Sequence, residues 1–558
     1  MVRKNLRWTA AVLLAANLSV FTPFGVQARN NNSSPDANTK TPIKHVVVIF
    51  QENVSFDHYF GTYPHSENNP GETPFHPKEG TPRVNNLEGA GLLHHNNNAN
   101  SSGTQVNPFR IPPSVPVTCD NDHNYNDEQF AFHGGLMDQF LTTLPTGGTV
   151  SCSDPVLGPY AAMGYYDGNT VTAFWNYAQN YAMSDNSFGT TFGPSTPGAL
   201  NLIAGTIFGG NLFPTTANGS AASPKGNLAG GNANPSITTG AVIGDARPHL
   251  DDCTQTTPGL AKSAQVTMSG TNVGDLLNAK GITWGWFNGG FAPTGLQNGL
   301  AVCGQHHAGL AGDDATTQSS DGDYIPHHQP FQYFASTVNP HHTRPMDARL
   351  IGTSRDGANH QYDTTDFMTV LGEGKLPAVS FVKAPAYQDG HPGYSDPIDE
   401  QFFVVNLINS IMQTKEWKET AIIIAYEDSD GWYDHQMGPI VNQSNEPIDD
   451  QLLASGNCGE PRPQGSATGP IQNGRCGYGP RLPLLVISPF AKQNYVDHRV
   501  TDQSSILRFI EDNWDLGRLG NGSADAVAGS LEGMFDFDGN AGKLILDPTS
   551  GQILRGGN

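Results

Sequence analysis

The chain has 558 residues, with 29 Lys and Arg against 52 Asp and Glu and a formal net charge of −23. That balance argues against a nucleic-acid binder, which needs a Lys/Arg surface for its phosphate contacts. The 37% hydrophobic content with only 15% charged residues argues for a folded chain, and the 64 Gly and 40 Pro exclude a coiled coil or helical bundle.

Residues 1–28 read as a signal peptide. Arg3, Lys4 and Arg7 give a positive start, Trp8 to Phe21 an apolar stretch, and Val26-Gln27-Ala28 a small-residue cleavage pattern. The stretch is short for a bilayer, no Arg-Arg pair marks a twin-arginine route, and no later run of that length lacks polar residues. The expectation is a secreted or periplasmic protein without a stable membrane anchor; a retained N-terminal helix is the alternative. Residues 29–40 read as a polar linker.

Ile43–Phe50 then forms a β-branched run that predicts a buried strand, and Pro377–Val382, Thr420–Tyr426 and Leu482–Ile487 repeat the signal. Ile398–Met412 and Ser504–Trp514 carry apolar residues near helical spacing. Strands alternating with helices predict an α/β fold with a mostly parallel sheet covered on both faces. Residues 62–118 and 208–275, rich in Gly, Asn, Pro and Thr, are expected to be long surface insertions that shape the mouth of a site. The six cysteines fall in sequence-near pairs, Cys119 with Cys152, Cys253 with Cys303 and Cys458 with Cys476, which an oxidising compartment would close as local disulfides.

In open parallel sheets ligands bind beyond the carboxyl ends of the strands. The first strand is followed by Gln51-Glu52-Asn53, and the strand ending at Tyr426 by Glu427-Asp428. Oxygen-only donors of this kind suit a hard divalent cation, Mg²⁺, Ca²⁺ or Mn²⁺; helix caps or solvated loop acids are the other reading. Ser195, in Phe192-Gly193-Pro194-Ser195-Thr196-Pro197, leads into a short helical run, Ala199–Ala204. A hydroxyl there sits where a phosphate or an oxyanion is favoured, or it is an ordinary helix cap.

QENVSFDHYFGTYP (51–64), FGPSTPGALNLIAGT (192–206), DGHPGYSD (389–396), AYEDSDGWYDH (425–435) and residues 481–514 resemble, in order, the bacterial phosphoesterase family of AcpA-type acid phosphatases and phospholipases C. The resemblance implies an alkaline-phosphatase-like three-layer α/β/α sandwich over residues 41–535 with a C-terminal tail at 536–558. It implies metal ligands at Glu52, Asn53, Ser195, Glu427 and Asp428, a nucleophile at Ser195, and phosphate-lining histidines at His123, His328 and His391, with His327 a rival for the role of His328. Pro197-Gly198 stands where the family commonly has Pro-Asn, and Glu427 where it more often has Asp. Ala199 stands where a sulfatase signal would need Arg.

The residue types imply attack by Ser195, a phosphoseryl intermediate and histidine-assisted departure of the leaving group. The substrate expected is a small phosphate ester or a phospholipid. Many phospholipases C of the family carry further C-terminal domains, and with the family-like core running to about residue 535 the first reading is a phosphomonoesterase of acid phosphatase type. A phospholipase C is the alternative, a non-catalytic binding protein the third, and no pattern sets an oligomeric state.

Overall fold

A computed structural model describes residues 34–144, 157–213, 227–228, 239–257, 259–309, 319, 321–439 and 477–557. The proposed signal peptide and Cys152, Cys458 and Cys476, with two of the three cysteine pairings, lie outside the described residues. The third pairing forms: Cys253 and Cys303 are joined with a Cα–Cα distance of 5.5 Å.

Among the described residues eight strands make the central sheet: β1 (His45–Gln51), β2 (Ala182–Ser184), β3 (Trp284–Asn288), β4 (Gln361–Asp363), β5 (Val379–Lys383), β6 (Thr420–Tyr426), β7 (Leu484–Ile487) and β8 (Tyr495–Asp497). Their order is β4-β3-β5-β1-β6-β7-β2-β8. Every neighbour pairs in parallel except at β7, which runs antiparallel to both β6 and β2. The expected mostly parallel sheet is therefore present. The four strands read from the sequence lie at its centre, where β-branched runs are buried on both faces: β5, β6 and β7 are buried along their whole length, and β1 at every residue after His45. The outer strands carry Trp284, Trp286, Met183 and Tyr362 in short mixed runs that lack a strand's usual β-branched signature.

Helices α1 (Tyr125–Phe132), α2 (Thr172–Asn180), α3 (Ser195–Ala204), α4 (Pro397–Gln413) and α5 (Gln503–Trp514) matter most for the site. The last two begin and end within a residue or two of the sequence expectation. Asp396 caps α4 by accepting from the N–H groups of Ile398 and Asp399, with Pro397 in the first turn, and Asp502 caps α5. Helix α5 packs on α3, and α4 on α2, so that both faces of the sheet are covered in an α/β/α arrangement.

The described residues of the two insertions carry more regular structure than their composition suggests. Residues 208–275 supply a second, five-stranded sheet among the described residues, with Phe208–Phe213 at its centre. Within 62–118, Arg110 reaches across to Asp167 and Glu72. From residue 34 on, the expected linker is tied down: Asp36 accepts from Thr283, and the Lys40 N–H donates to the Asn513 carbonyl. The tail past residue 535 packs along α4 through Asn409 and Gln401. No helix among the described residues is long and apolar enough to cross a membrane.

Candidate active site

The site is built where β1 and β6 end. These strands run in register from His45 opposite Thr420 to Gln51 opposite Tyr426, so Glu52-Asn53 and Glu427-Asp428 emerge side by side. The pairing continues past the strands, with the Glu427 N–H donating to the Gln51 carbonyl (3.0 Å) and the Val54 N–H to that of Asp428 (2.9 Å). Asn53 takes φ = 56°, a left-handed conformation that Asn tolerates better than most residues. Its side-chain N–H donates to Asp430 at 3.3 Å.

Helix α3 begins at Ser195 itself, four residues before the helical run visible in the sequence, with Pro194 at the cap position. Pro197 fits in the first turn because its missing N–H would have no intrahelical partner there. The buried Ser195 hydroxyl lies 3.1 Å from Asp428 Oδ2 and 3.2 Å from Glu52 Oε2 and can donate to either. Thr196 donates its N–H and its hydroxyl to Asp245 Oδ1. Glu128 of α1 ties the loop before Ser195 to the loop after Asp428, accepting from the Gly193 N–H (2.9 Å) and from Ser429 Oγ (2.7 Å).

Lys383, the last residue of β5, was not singled out by the sequence reading. Its buried ammonium donates to Glu52 Oε1 and, at 3.0 Å, to Glu427 Oε2. The available signal was a single Lys closing a strand with no other charged residue, VSFVK, next to the strand that leads into Glu52. Burial alone would raise the Glu52 carboxyl, but His328 and Lys383 outweigh it and hold it well below the usual range. Glu427 is pushed well above that range by burial and by the negative charge of Glu52, against the pull of Lys383. Burial raises Asp428 to about 6 against the pull of His123.

The histidines divide by position. His328 Nδ1 lies 2.7 Å from Glu52 Oε1, and burial lowers its pKa to about 4 despite the Glu52 charge. It is a buried partner of the Glu52 carboxylate. His327, its rival, instead contacts Arg247 and lies 3.8 Å from Asp245. His123 and His391 meet edge to face with ring centroids 6.1 Å apart. Burial would lower the His123 pKa, but Asp428, Asp430 and Asp120 hold it well above the ordinary histidine value. Its Nδ1 bonds the Asn121 carbonyl, and that of His391 bonds the Pro392 carbonyl.

The donor set fits a hard divalent cation. Oxygens of Glu52, Glu427 and Asp428 lie within 4.8 Å of one another, and Ser195 Oγ joins two of these residues. Asn53 Oδ1 and Glu427 Oε1 are buried without any hydrogen-bond partner, an arrangement costly for a neutral protein interior and expected for ligand oxygens. Four of the five residues expected as ligands, Glu52, Ser195, Glu427 and Asp428, are thus brought together, with Asn53 adjacent to Glu52 in the chain, His328 in contact with Glu52, and His123 on the Asp428 side, next to His391.

A family model described as Phosphoesterase family matches residues 43–517. The chain belongs to the phosphoesterase family. This phosphoesterase is 24% identical over 504 residues to the non-hemolytic phospholipase C of Pseudomonas aeruginosa, covering 89% of the chain but only 57% of that relative's length. It is 23% identical over 512 residues to phospholipase C A of Mycobacterium tuberculosis, covering 89% of the chain and 78% of the relative. A solved structure of a protein in the alkaline phosphatase superfamily from Vibrio parahaemolyticus matches 62% of each chain at 11% identity with a TM-score of 0.24. The α/β/α architecture rests on the sheet and its helices rather than on that likeness.

Proposed function

We propose that this chain hydrolyses phosphoesters of the phospholipase C class, with Ser195 as nucleophile. The observation that carries the reading is the Ser195 hydroxyl, buried at the start of a helix and within 3.2 Å of two carboxylates beside two unpartnered oxygens. A divalent cation, Mg²⁺, Ca²⁺ or Mn²⁺, held by Glu52, Asn53, Ser195, Glu427 and Asp428 would supply Lewis acidity and offset the charge of the phosphate.

The chain's own residues account for the remaining chemistry. Asp428 Oδ2, whose carboxyl is raised to about 6, accepts the Ser195 proton as Oγ forms its bond to phosphorus. The N-terminus of α3 favours the negative charge that gathers on the phosphoryl oxygens. As the phosphorus–oxygen bond to the leaving group breaks, His123, kept protonated by the acids around it, gives that oxygen a proton. Water then attacks the phosphoserine and gives a proton to His123, while the proton held on the carboxylate returns to Ser195 Oγ as its bond to phosphorus breaks, releasing the phosphate or phosphorylated head group.

The weight falls on phospholipase C rather than on the acid phosphatase that the sequence reading put first, because relatives bearing the former name match nearly the whole chain. Chain length does not separate the two, since one such relative is covered over 78% of its own length. The test compares p-nitrophenyl phosphorylcholine with p-nitrophenyl phosphate, on the wild-type chain and on Ser195→Ala. Preference for the phosphorylcholine ester supports the reading, and preference for the monoester returns it to an acid phosphatase. Retained hydrolysis by Ser195→Ala removes Ser195 from the mechanism.

A further inference from the structure

The oxygens of the two glutamates are not equivalent. Glu52 Oε1 takes Lys383 Nζ and His328 Nδ1, while Oε2 faces Ser195. Glu427 Oε2 takes Lys383 Nζ, while Oε1 is buried without a hydrogen bond, 3.8 Å from His328 Nε2. One ammonium therefore holds one oxygen of each carboxylate and leaves the other of Glu52 to Ser195 and the other of Glu427 without a hydrogen bond. A purely structural ion pair would not leave Glu427 Oε1 and Asn53 Oδ1 unsatisfied in a buried site. Lys383 is fully buried on a strand flanked by β1 and β3, so its position is set by the sheet.

Glu52 also belongs to two donor groups. One is Glu52, Glu427 and Asp428; the other is Glu52, His328 and Asp389, again with ligand atoms within 4.8 Å of one another and all buried. His328 Nδ1 lies 3.9 Å from Asp389 Oδ2, and Glu52 Oε1, which it contacts at 2.7 Å, is the oxygen that Lys383 occupies. A cation in the second group would have to share that oxygen with an ammonium, against direct charge repulsion.

We propose that Lys383 is a positioning residue that limits this site to one divalent cation, by occupying the carboxylate oxygen that a second ion at Glu52, His328 and Asp389 would need. The inference rests on the metal-assisted reading above and goes beyond it, because it assigns the second donor group and the reason it stays silent. The amine does in the sheet what a second metal ion would do, offsetting carboxylate charge, but with a fixed charge that cannot dissociate from the chain.

The test is the number of Mn²⁺ ions bound per full-length chain, measured by equilibrium dialysis with atomic absorption, independently of turnover. The wild-type chain is expected to bind one ion, Lys383→Met two, and Lys383→Arg, which keeps the charge, one. Asp389→Asn in the Lys383-containing chain gives an arm that does not depend on the folding of Lys383→Met: it should still bind one ion. Two ions on the wild-type chain, one on a folded Lys383→Met, or loss of the ion in Asp389→Asn would overturn the proposal while leaving a metal-assisted site standing. No bound ion in the wild-type chain would overturn the metal reading, and this inference with it.

Discussion

Gly198 and Glu427 meet backbone to backbone: a Cβ on Gly198 would lie 2.0 Å from the Glu427 carbonyl oxygen and 2.7 Å from its carbon. That contact sets how closely the Ser195 helix approaches the strand end carrying Glu427 and Asp428. It also gives a physical reason for Gly at the position where the family commonly has Asn.

Gly198→Ala is the corresponding test. Within a helix this change ordinarily stabilises by about 1 kcal/mol. Here the neighbour is backbone, held in addition by the Gln503 amide donating to the same carbonyl at 2.6 Å, so the helix must retreat. We expect turnover to fall by about 100-fold, the order associated with a displacement of about 1 Å at a reacting group, and the melting temperature to drop rather than rise. A variant as active and as stable as the wild type would show that the spacing is not critical.

Removing the cation should be visible without substrate. An ion bound to the folded chain at a hundred times its dissociation constant adds about 2.7 kcal/mol of stability. Exhaustive chelation is therefore expected to lower the melting temperature by several degrees and to abolish hydrolysis, with Mg²⁺, Ca²⁺ or Mn²⁺ restoring both. Unchanged melting and unchanged rates after chelation would count against the ligand set.

Glu400 predicts a pH dependence of stability. It lies beneath the strand ends, accepting from Tyr59 and Tyr426 hydroxyls at 2.7 Å each, and burial raises its carboxyl from 4.5 to about 8 despite those bonds. Its folded pKa exceeds the unfolded value, so between about pH 4.5 and 8 the folded chain holds a proton that the unfolded chain has released. This group's contribution is fully present below that window and is lost as pH rises through it. Glu400→Gln should gain melting temperature over the wild type at pH 8 and little at pH 4.5; equal shifts at both would refute the linkage.

The Cys253–Cys303 disulfide joins residues 50 apart in sequence. Closing a loop of that size restricts the unfolded chain by about 4 kcal/mol at the upper end. Replacing both cysteines with Ala should therefore lower the midpoint of urea unfolding markedly. The bond lies in its own cluster with Phe291, Ala301 and Tyr324, so turnover measured well below the transition should change little.

The sequence by itself determined the central strands and the long helices, and it placed Glu52 and Glu427-Asp428 just past two of those strands. β-Branched runs such as Val46–Ile49 and Ile422–Ile424 are buried on both faces by their composition alone, and acids placed just after parallel strands share one edge whatever the rest of the chain does. It left His327 and His328 unresolved, missed Lys383, Glu128 and Asp245, and gave the outer strands no signal. Those depend on contacts across long stretches of chain, 331 residues for Lys383 with Glu52 and 65 for Glu128 with Gly193, and no local pattern encodes them. Only the tertiary structure decided that adjacent histidines face different partners, because their rings pack edge to face at 4.3 Å and so direct their nitrogens to different elements, His328 to Glu52 and His327 to Arg247. Only it showed that a lysine shares the carboxylate cradle, because strand order, not strand sequence, sets β5 beside β1.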